Sequence, residues 1–204
     1  MENGLLDCEQ YLEEAMAEHA TAQCPPLLAQ ALNYAVFPGG ARVRPKICKA
    51  VALANNSSDV GLANAAASAI ELLHCASLVH DDLPCFDDAT QRRGKPSVHA
   101  KFGERIAVLT GDALIVAAFQ TLATHAIHAV RTERVPLVTA IVARGVGAPH
   151  GICAGQAWDC ERSVDLSRYH RAKSGALFVA ATCVGAAAAG VDPGPWVNLG
   201  ASIG

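Results

Sequence analysis

Residues 62 to 95 read LANAAASAIELLHCASLVHDDLPCFDDATQRRGK, and the fold class follows from this segment. Leu62, Ala66, Ala69, Ile70, Leu73, Ser77 and Leu78 recur at three- and four-residue intervals, which predicts a helix with one apolar face. The helix is expected to end at the acidic segment. Pro84 makes a break there, and Gln91-Arg92-Arg93-Gly94-Lys95-Pro96 reads as a polar loop. Asp81, Asp82, Asp87 and Asp88 thus crowd one helix end, with Arg92, Arg93 and Lys95 just beyond. Clustered carboxylates repel one another and the helix dipole adds to the cost, so a multivalent cation is the natural compensation. Oxygen-only ligands suit Mg²⁺, which commonly bridges a few carboxylates to phosphates. The three cations would grip the same anion from its other side, Arg by bidentate forks and Lys as a point charge. The plainer alternative is a solvated acidic cap beside a basic loop.

Outward from this segment the pattern stays helical, because Ala is abundant and β-branched residues rarely alternate with polar ones. No strand is predicted. Helices are expected over about 5–22, 27–36, from 44–45 onward with Ile47, Val51 and Leu53 inward, 106–126, 135–146, 169–190 and from 196. Gln156 and Asp159 fall in a short connecting segment. No repeat or linker interrupts the chain, so residues 1–204 read as one all-α domain.

A net charge of −3 without a basic stripe makes a nucleic-acid partner a poor guess. Arg42, Arg44, Lys46 and Lys49 form one basic turn, expected to be a solvated helix face. None of the eight cysteines pairs at zinc-knuckle or redox spacing, so they read as free thiols in a reducing cytoplasm. The first 20 residues are too acidic for a signal peptide. The Ala- and Gly-rich run 175–191 approaches spanning length, but its composition suits a helix packed inside a protein, so no membrane span is expected.

Residues 81–88 resemble the first aspartate-rich motif of the trans-polyprenyl diphosphate synthases, in the form with two extra residues between the aspartates. Arg92-Arg93-Gly94 is similar to the sequence that follows that motif, and Gly39-Gly40-Ala41-Arg42-Val43-Arg44-Pro45 to the upstream Gly-Gly-Lys-Arg-x-Arg-Pro. Gly111-Asp112-Ala113-Leu114, Gly155-Gln156 with Asp159, and Lys173-Ser174-Gly175-Ala176-Leu177 follow in family order, and His74 stands seven residues before Asp81. The overall likeness is greatest to geranylgeranyl diphosphate synthases of bacterial carotenoid pathways. It implies a helical bundle around a central cavity, a homodimer, and Mg²⁺-dependent condensation of an allylic diphosphate with isopentenyl diphosphate.

By that resemblance Asp81 and Asp87, supported by Asp82 and Asp88, hold Mg²⁺, and Asp81, Asp87, Arg92 and Lys173 carry the catalysis. Arg92, Lys173 and Ser174 bind the allylic diphosphate, Arg44, His74 and Arg93 bind isopentenyl diphosphate, and Gln156 lines the cavity. Helix geometry points the residues four and five positions before Asp81, Ser77 and Ala76, down the channel. In the family an aromatic at the latter position goes with a fifteen-carbon product, so these small side chains imply twenty carbons.

Ala41 departs from the family Lys, and Arg42 or Lys46 is expected to compensate. The second aspartate-rich motif is expected downstream of residue 204, making the chain a fragment, a truncated product or a noncatalytic partner subunit. A rival reading takes His80-Asp81 as the metal pair of a helical phosphohydrolase.

Overall fold

The structure is a computed structural model that describes residues 7–19, 21, 23–37, 40–128 and 132–204. Helices account for nearly all regular structure: α1 Cys8–Ala17, α2 Pro26–Val36, α3 Val43–Ala54, α4 Val60–Asp81, α5 Val98–Phe102, α6 Glu104–His128, α7 Val135–Val146, α8 Ile152–Trp158, α9 Leu166–His170, α10 Ala176–Ala189 and α11 Trp196–Ile203. A π-helical turn, Arg171–Gly175, joins α9 to α10. Cys8 is the first residue of α1 and Ala17 its last, so that helix stops earlier than its pattern suggested.

Helix α4 is the shaft of the bundle. Asp59 caps its start, accepting from the Leu62 amide at 2.9 Å. Its run of Ala and Ser lets α3, α6 and α10 pack closely against it. Consequently Ala63, Asn64, Ala67, Ser68, Glu71 and Leu72 are buried as well as most of the expected stripe, whose Ser77 and Leu78 are half-buried. Periodicity announced one apolar face, but a helix surrounded by neighbours is buried on most sides.

Two further expectations are corrected. The segment 91–96 is a β-hairpin, β1 Gln91–Arg92 against β2 Lys95–Pro96, closed by Arg93 and Gly94 at φ of +54° and +75°. The segment holding Gln156 and ending at Asp159 is helix α8 and its C-cap. In α3, Val51 is buried and Ile47 half-buried as expected, whereas Leu53 points to solvent.

The basic turn is not a solvated face, because Arg42 and Lys49 are only 4% and 2% exposed. Arg42 donates to Glu71 at 2.8 Å, to Glu9 at 2.8 Å and to the Val36 carbonyl at 2.8 Å. Burial opposes its charge, yet those carboxylates overcome that and raise its pKa. Arg42 is therefore committed to the core and cannot supply the ammonium that Ala41 lacks; Lys46, whose Nζ lies 2.8 Å from the Ala41 carbonyl, does sit beside that position. Arg42→Ala would strand the buried Glu71 carboxylate, and we expect it to cost about 3–5 kcal/mol in denaturant unfolding. Arg42→Met combined with Glu71→Leu should recover most of that loss.

Helices 60–81, 104–127 and 166–189 are long and apolar enough to cross a membrane by length and composition alone. In the first and last, 78% and 67% of the apolar window is buried inside the protein, against 39% for the helix 104–127. The run 175–191 is thus mostly core, as its small residues suggested.

Candidate active site

The C-terminal half of α4 carries the site. His74 and Asp81 are seven residues apart, two turns, and so share a face roughly 10 Å apart along the axis. Beyond Asp81 the chain folds back: the Asp87 amide donates to the Asp81 carbonyl at 3.0 Å and the Ala89 amide to the Asp82 carbonyl at 3.2 Å. Asp88 completes the reversal with φ +47°. This fold-back brings Asp87 beside Asp81, which explains how two extra residues fit between the aspartates.

Partial burial, then the charge of Asp81, raises the Asp87 carboxyl pKa. Asp81 Oδ1 is buried and accepts no hydrogen bond, although Lys173 Nζ stands 3.4 Å away. A buried carboxylate oxygen that accepts no hydrogen bond, next to a second carboxylate, fits the two-carboxylate anchor that Mg²⁺ uses with substrate phosphates. Among the described residues no group of three or more His, Cys, Asp or Glu is arranged to hold a metal alone.

Asp82, expected to support that metal, is bound by a side chain. It is 2% exposed, and Arg92 Nε donates to both its oxygens, at 3.0 and 3.2 Å, with Nη2 closing the fork. Arg92 is thereby fixed with Nη2 3.8 Å from Asp81 Oδ2. All three cations after the motif face one cavity of about 190 Å³ behind α4. Arg92, Arg93 and Lys95 line it together with Asp82, Tyr34, Cys75 and Ser97.

Lys173 comes from the π turn. Its Nζ lies 2.8 Å from Asp159 Oδ2, so Asp159 and Asp81 flank one ammonium. Burial opposes its charge, but the Asp159 hydrogen bond and the Asp81 charge prevail and raise its pKa. Gly155 of α8 makes this possible, since a Cβ there would collide with the Lys173 backbone. Ser174 is exposed beside it.

A basic cluster occupies the other side. The Arg44 guanidinium stacks 4.5 Å from the Phe178 ring centroid, its Nε buried without a hydrogen-bond partner. Burial lowers its pKa. The Arg93 guanidinium lies flat on Gly40, where an added Cβ would stand 2.7 Å from Arg93 Cζ. Burial, reinforced by Arg44, Arg93, Arg42 and Arg92, pushes the His74 pKa down to about 3. His74 is thus neutral in the folded protein at any ordinary pH. The unfolded chain binds that proton below about 6.5, so the stability contributed by neutral His74 is present above that pH and lost as pH falls towards 3. His74→Gln should flatten the decline in urea midpoint measured between those limits; an unchanged slope would remove His74 as its source.

Below Asp81 opens a cavity of about 370 Å³. Leu73, Ala76 and Ser77 of α4 form one wall, Ile115 of α6 and Val146 of α7 close it, and Ile152, Cys153, Gln156, Ala157 and Cys160 form the opposite side. Ala76, Ser77 and Gln156, singled out from sequence, all line it. Asp112 does not: it is exposed at α6, 3.5 Å from His80 Nε2, and His80 also lies 3.3 Å from the Val108 carbonyl. The His80 imidazole is thus engaged by α6, which gives the phosphohydrolase reading no support. The sequence pattern carried no sign of the Asp82–Arg92 fork or of Phe178 under Arg44.

An all-helical bundle with an aspartate pair over an apolar cavity defines an isoprenoid-synthase type of protein. The polyprenyl synthetase family model matches residues 25–204, and this chain belongs to that family. It is 55% identical over 201 residues to geranylgeranyl diphosphate synthase of Cereibacter sphaeroides, spanning 96% of this chain and 69% of that protein. The corresponding enzyme of Rhodobacter capsulatus is 52% identical over 196 residues, spanning 96% and 67%. Among solved structures, an FPP/GFPP synthase from Zymomonas mobilis superposes with a TM-score of 0.84 at 31% identity, covering 98% of this chain and 74% of that one.

Proposed function

We propose that this chain condenses an allylic diphosphate with isopentenyl diphosphate, with geranylgeranyl diphosphate as main product. The supporting observation is the buried Asp81 Oδ1 beside Asp87, which accepts no hydrogen bond and has the Lys173 ammonium 3.4 Å away, at the mouth of an apolar cavity. Asp81 and Asp87 would hold Mg²⁺, whose charge stabilises the departing diphosphate when bound. Asp82 acts one step back by fixing Arg92. Lys173, Ser174 and Arg92 approach the diphosphate from the facing side, where breaking the allylic C–O bond builds up negative charge. The cavity walls, with Gln156 among them, keep water from the allylic cation and hold the alkene of isopentenyl diphosphate as its only nucleophile. Arg44, Arg93 and neutral His74 bind the second diphosphate.

The test is incubation with labelled isopentenyl diphosphate, farnesyl diphosphate and Mg²⁺, followed by phosphatase treatment. A labelled twenty-carbon alcohol is expected. No labelled alcohol from protein that circular dichroism shows folded would overturn the assignment.

The reading extends to a homodimer in the cytoplasm. Along the outer side of α6, Val108, Leu109, Val116 and Ile127 are 41%, 51%, 61% and 77% exposed, an apolar surface suited to a second copy of itself. This face also accounts for the low burial of that helix without invoking lipid. Val116→Glu should convert a dimer to a monomer in light scattering, and a wild-type protein already monomeric at micromolar concentration would refute it.

A further inference from the structure

The eight thiols sort by burial. Cys8, Cys48, Cys75 and Cys183 are buried, Cys24 is half-buried, and Cys85, Cys153 and Cys160 are exposed. Burial pushes the Cys48 and Cys75 thiols up to about 12, which keeps them protonated and inert. Of the exposed three, Cys153 and Cys160 line the cavity below Asp81, whereas Cys85 does not. Cys153, Gln156, Ala157 and Cys160 follow the spacing of one helix face, and the Cys160 amide still donates to the Ala157 carbonyl at 3.0 Å. Seven residues of helical rise separate the two sulfurs by roughly 10 Å, too far for a disulfide between them. Neither thiol of the cavity wall is in a disulfide, and the Cys160 S–H reaches only the Gln156 carbonyl, at 4.0 Å.

We propose that this cavity is a covalent modification site for apolar Michael acceptors, captured by Cys153 or Cys160 with the hydrocarbon tail against Leu73 and Ile115. The sulfur adds to the β-carbon of an α,β-unsaturated carbonyl compound and a C–S bond forms. The π pair of the alkene moves to the enolate, which takes up the proton lost by the thiol, so no oxidant or reductant is needed. The adduct occupies the space of an allylic tail and blocks prenyl transfer; this consequence rests on the function proposed above, while the capture itself does not.

The test compares N-dodecylmaleimide with N-methylmaleimide on the intact chain, reading adducts at each cysteine by peptide mass spectrometry. Modification of Cys153 or Cys160 should be at least about tenfold faster with the long chain, the gain from burying roughly two methylenes. Cys85, exposed outside the cavity, should react at nearly equal rates with both. An equal long-chain gain at Cys85, or none at the cavity thiols, overturns the proposal. Cys153→Ser and Cys160→Ser should each delete only their own adduct. Farnesyl diphosphate with Mg²⁺ should slow capture at the cavity thiols. Selective capture without that protection would uphold the modification site and overturn the reading of the cavity as the allylic site.

Discussion

Asp81→Asn should lower kcat for prenyl transfer by about a thousandfold, roughly 4 kcal/mol of transition-state stabilisation. The amide keeps the size of the side chain but removes the charge that would anchor Mg²⁺ on the face of Asp87. Binding of isopentenyl diphosphate should change little, because His74 lies two turns away on α4, with Arg44 and Arg93 close to it on the basic side. The fold should not suffer. Asp81 Oδ1 accepts no hydrogen bond, and neutralising it relieves the repulsion that raises the Asp87 pKa, which offsets the loss of the charge contacts to Lys173 at 3.4 Å and Arg92 at 3.8 Å. The melting temperature is expected to stay level or rise. A kcat within tenfold of wild type, with a folded protein, would move the metal anchor elsewhere; a collapse in melting temperature would make Asp81 a structural residue instead.

Ala76→Tyr should convert the main product from twenty carbons to fifteen. Ala76 is 2% exposed and forms part of the cavity wall, five residues and about 7.5 Å of helix below Asp81. An extended tail needs about that depth for its first units, and a phenol there would fill space now open down to Leu73. Leu73, 1% exposed and another turn lower, then reads as the natural floor of the wild-type cavity. Leu73→Ala should accordingly admit products longer than twenty carbons. Chromatography of the dephosphorylated products separates these outcomes, and unchanged lengths in both variants would place the floor on another helix. Overpacking by the tyrosine costs about 1–3 kcal/mol, so the folded fraction must be measured alongside.

Much of this site could be read along the chain because its determinants are local. The carboxylates lie within eight residues, His74 precedes them on the same helix, and Ala76 and Ser77 follow from a helical repeat that any α-helix must obey. The same locality explains what was missed. A two-residue ladder such as β1–β2 has too little periodic signal to register, and it depends on Arg93 and Gly94 adopting positive φ and on the Tyr34 hydroxyl bonding the Pro96 carbonyl at 2.8 Å. That hairpin decides which partner each cation touches. Linear order placed Arg92 and Arg93 side by side, yet one is locked to Asp82 and the other lies on Gly40.

Charge pairing across the fold was equally hidden. Arg42 looked like a solvated cation because Glu9 and Glu71 are 33 and 29 residues away, and only packing brings them to 2.8 Å. The amino-acid order was enough to establish an almost wholly helical chain, the acidic turn at the end of α4, and the small residues lining the cavity, since each is set by contacts within a turn or two. Folding in three dimensions had to settle the burial of most of α4, the partners of the cations, the two carboxylates flanking Lys173 and the thiols of the cavity wall. These depend on the approach of segments distant in the chain, and no helical repeat encodes which neighbours will arrive.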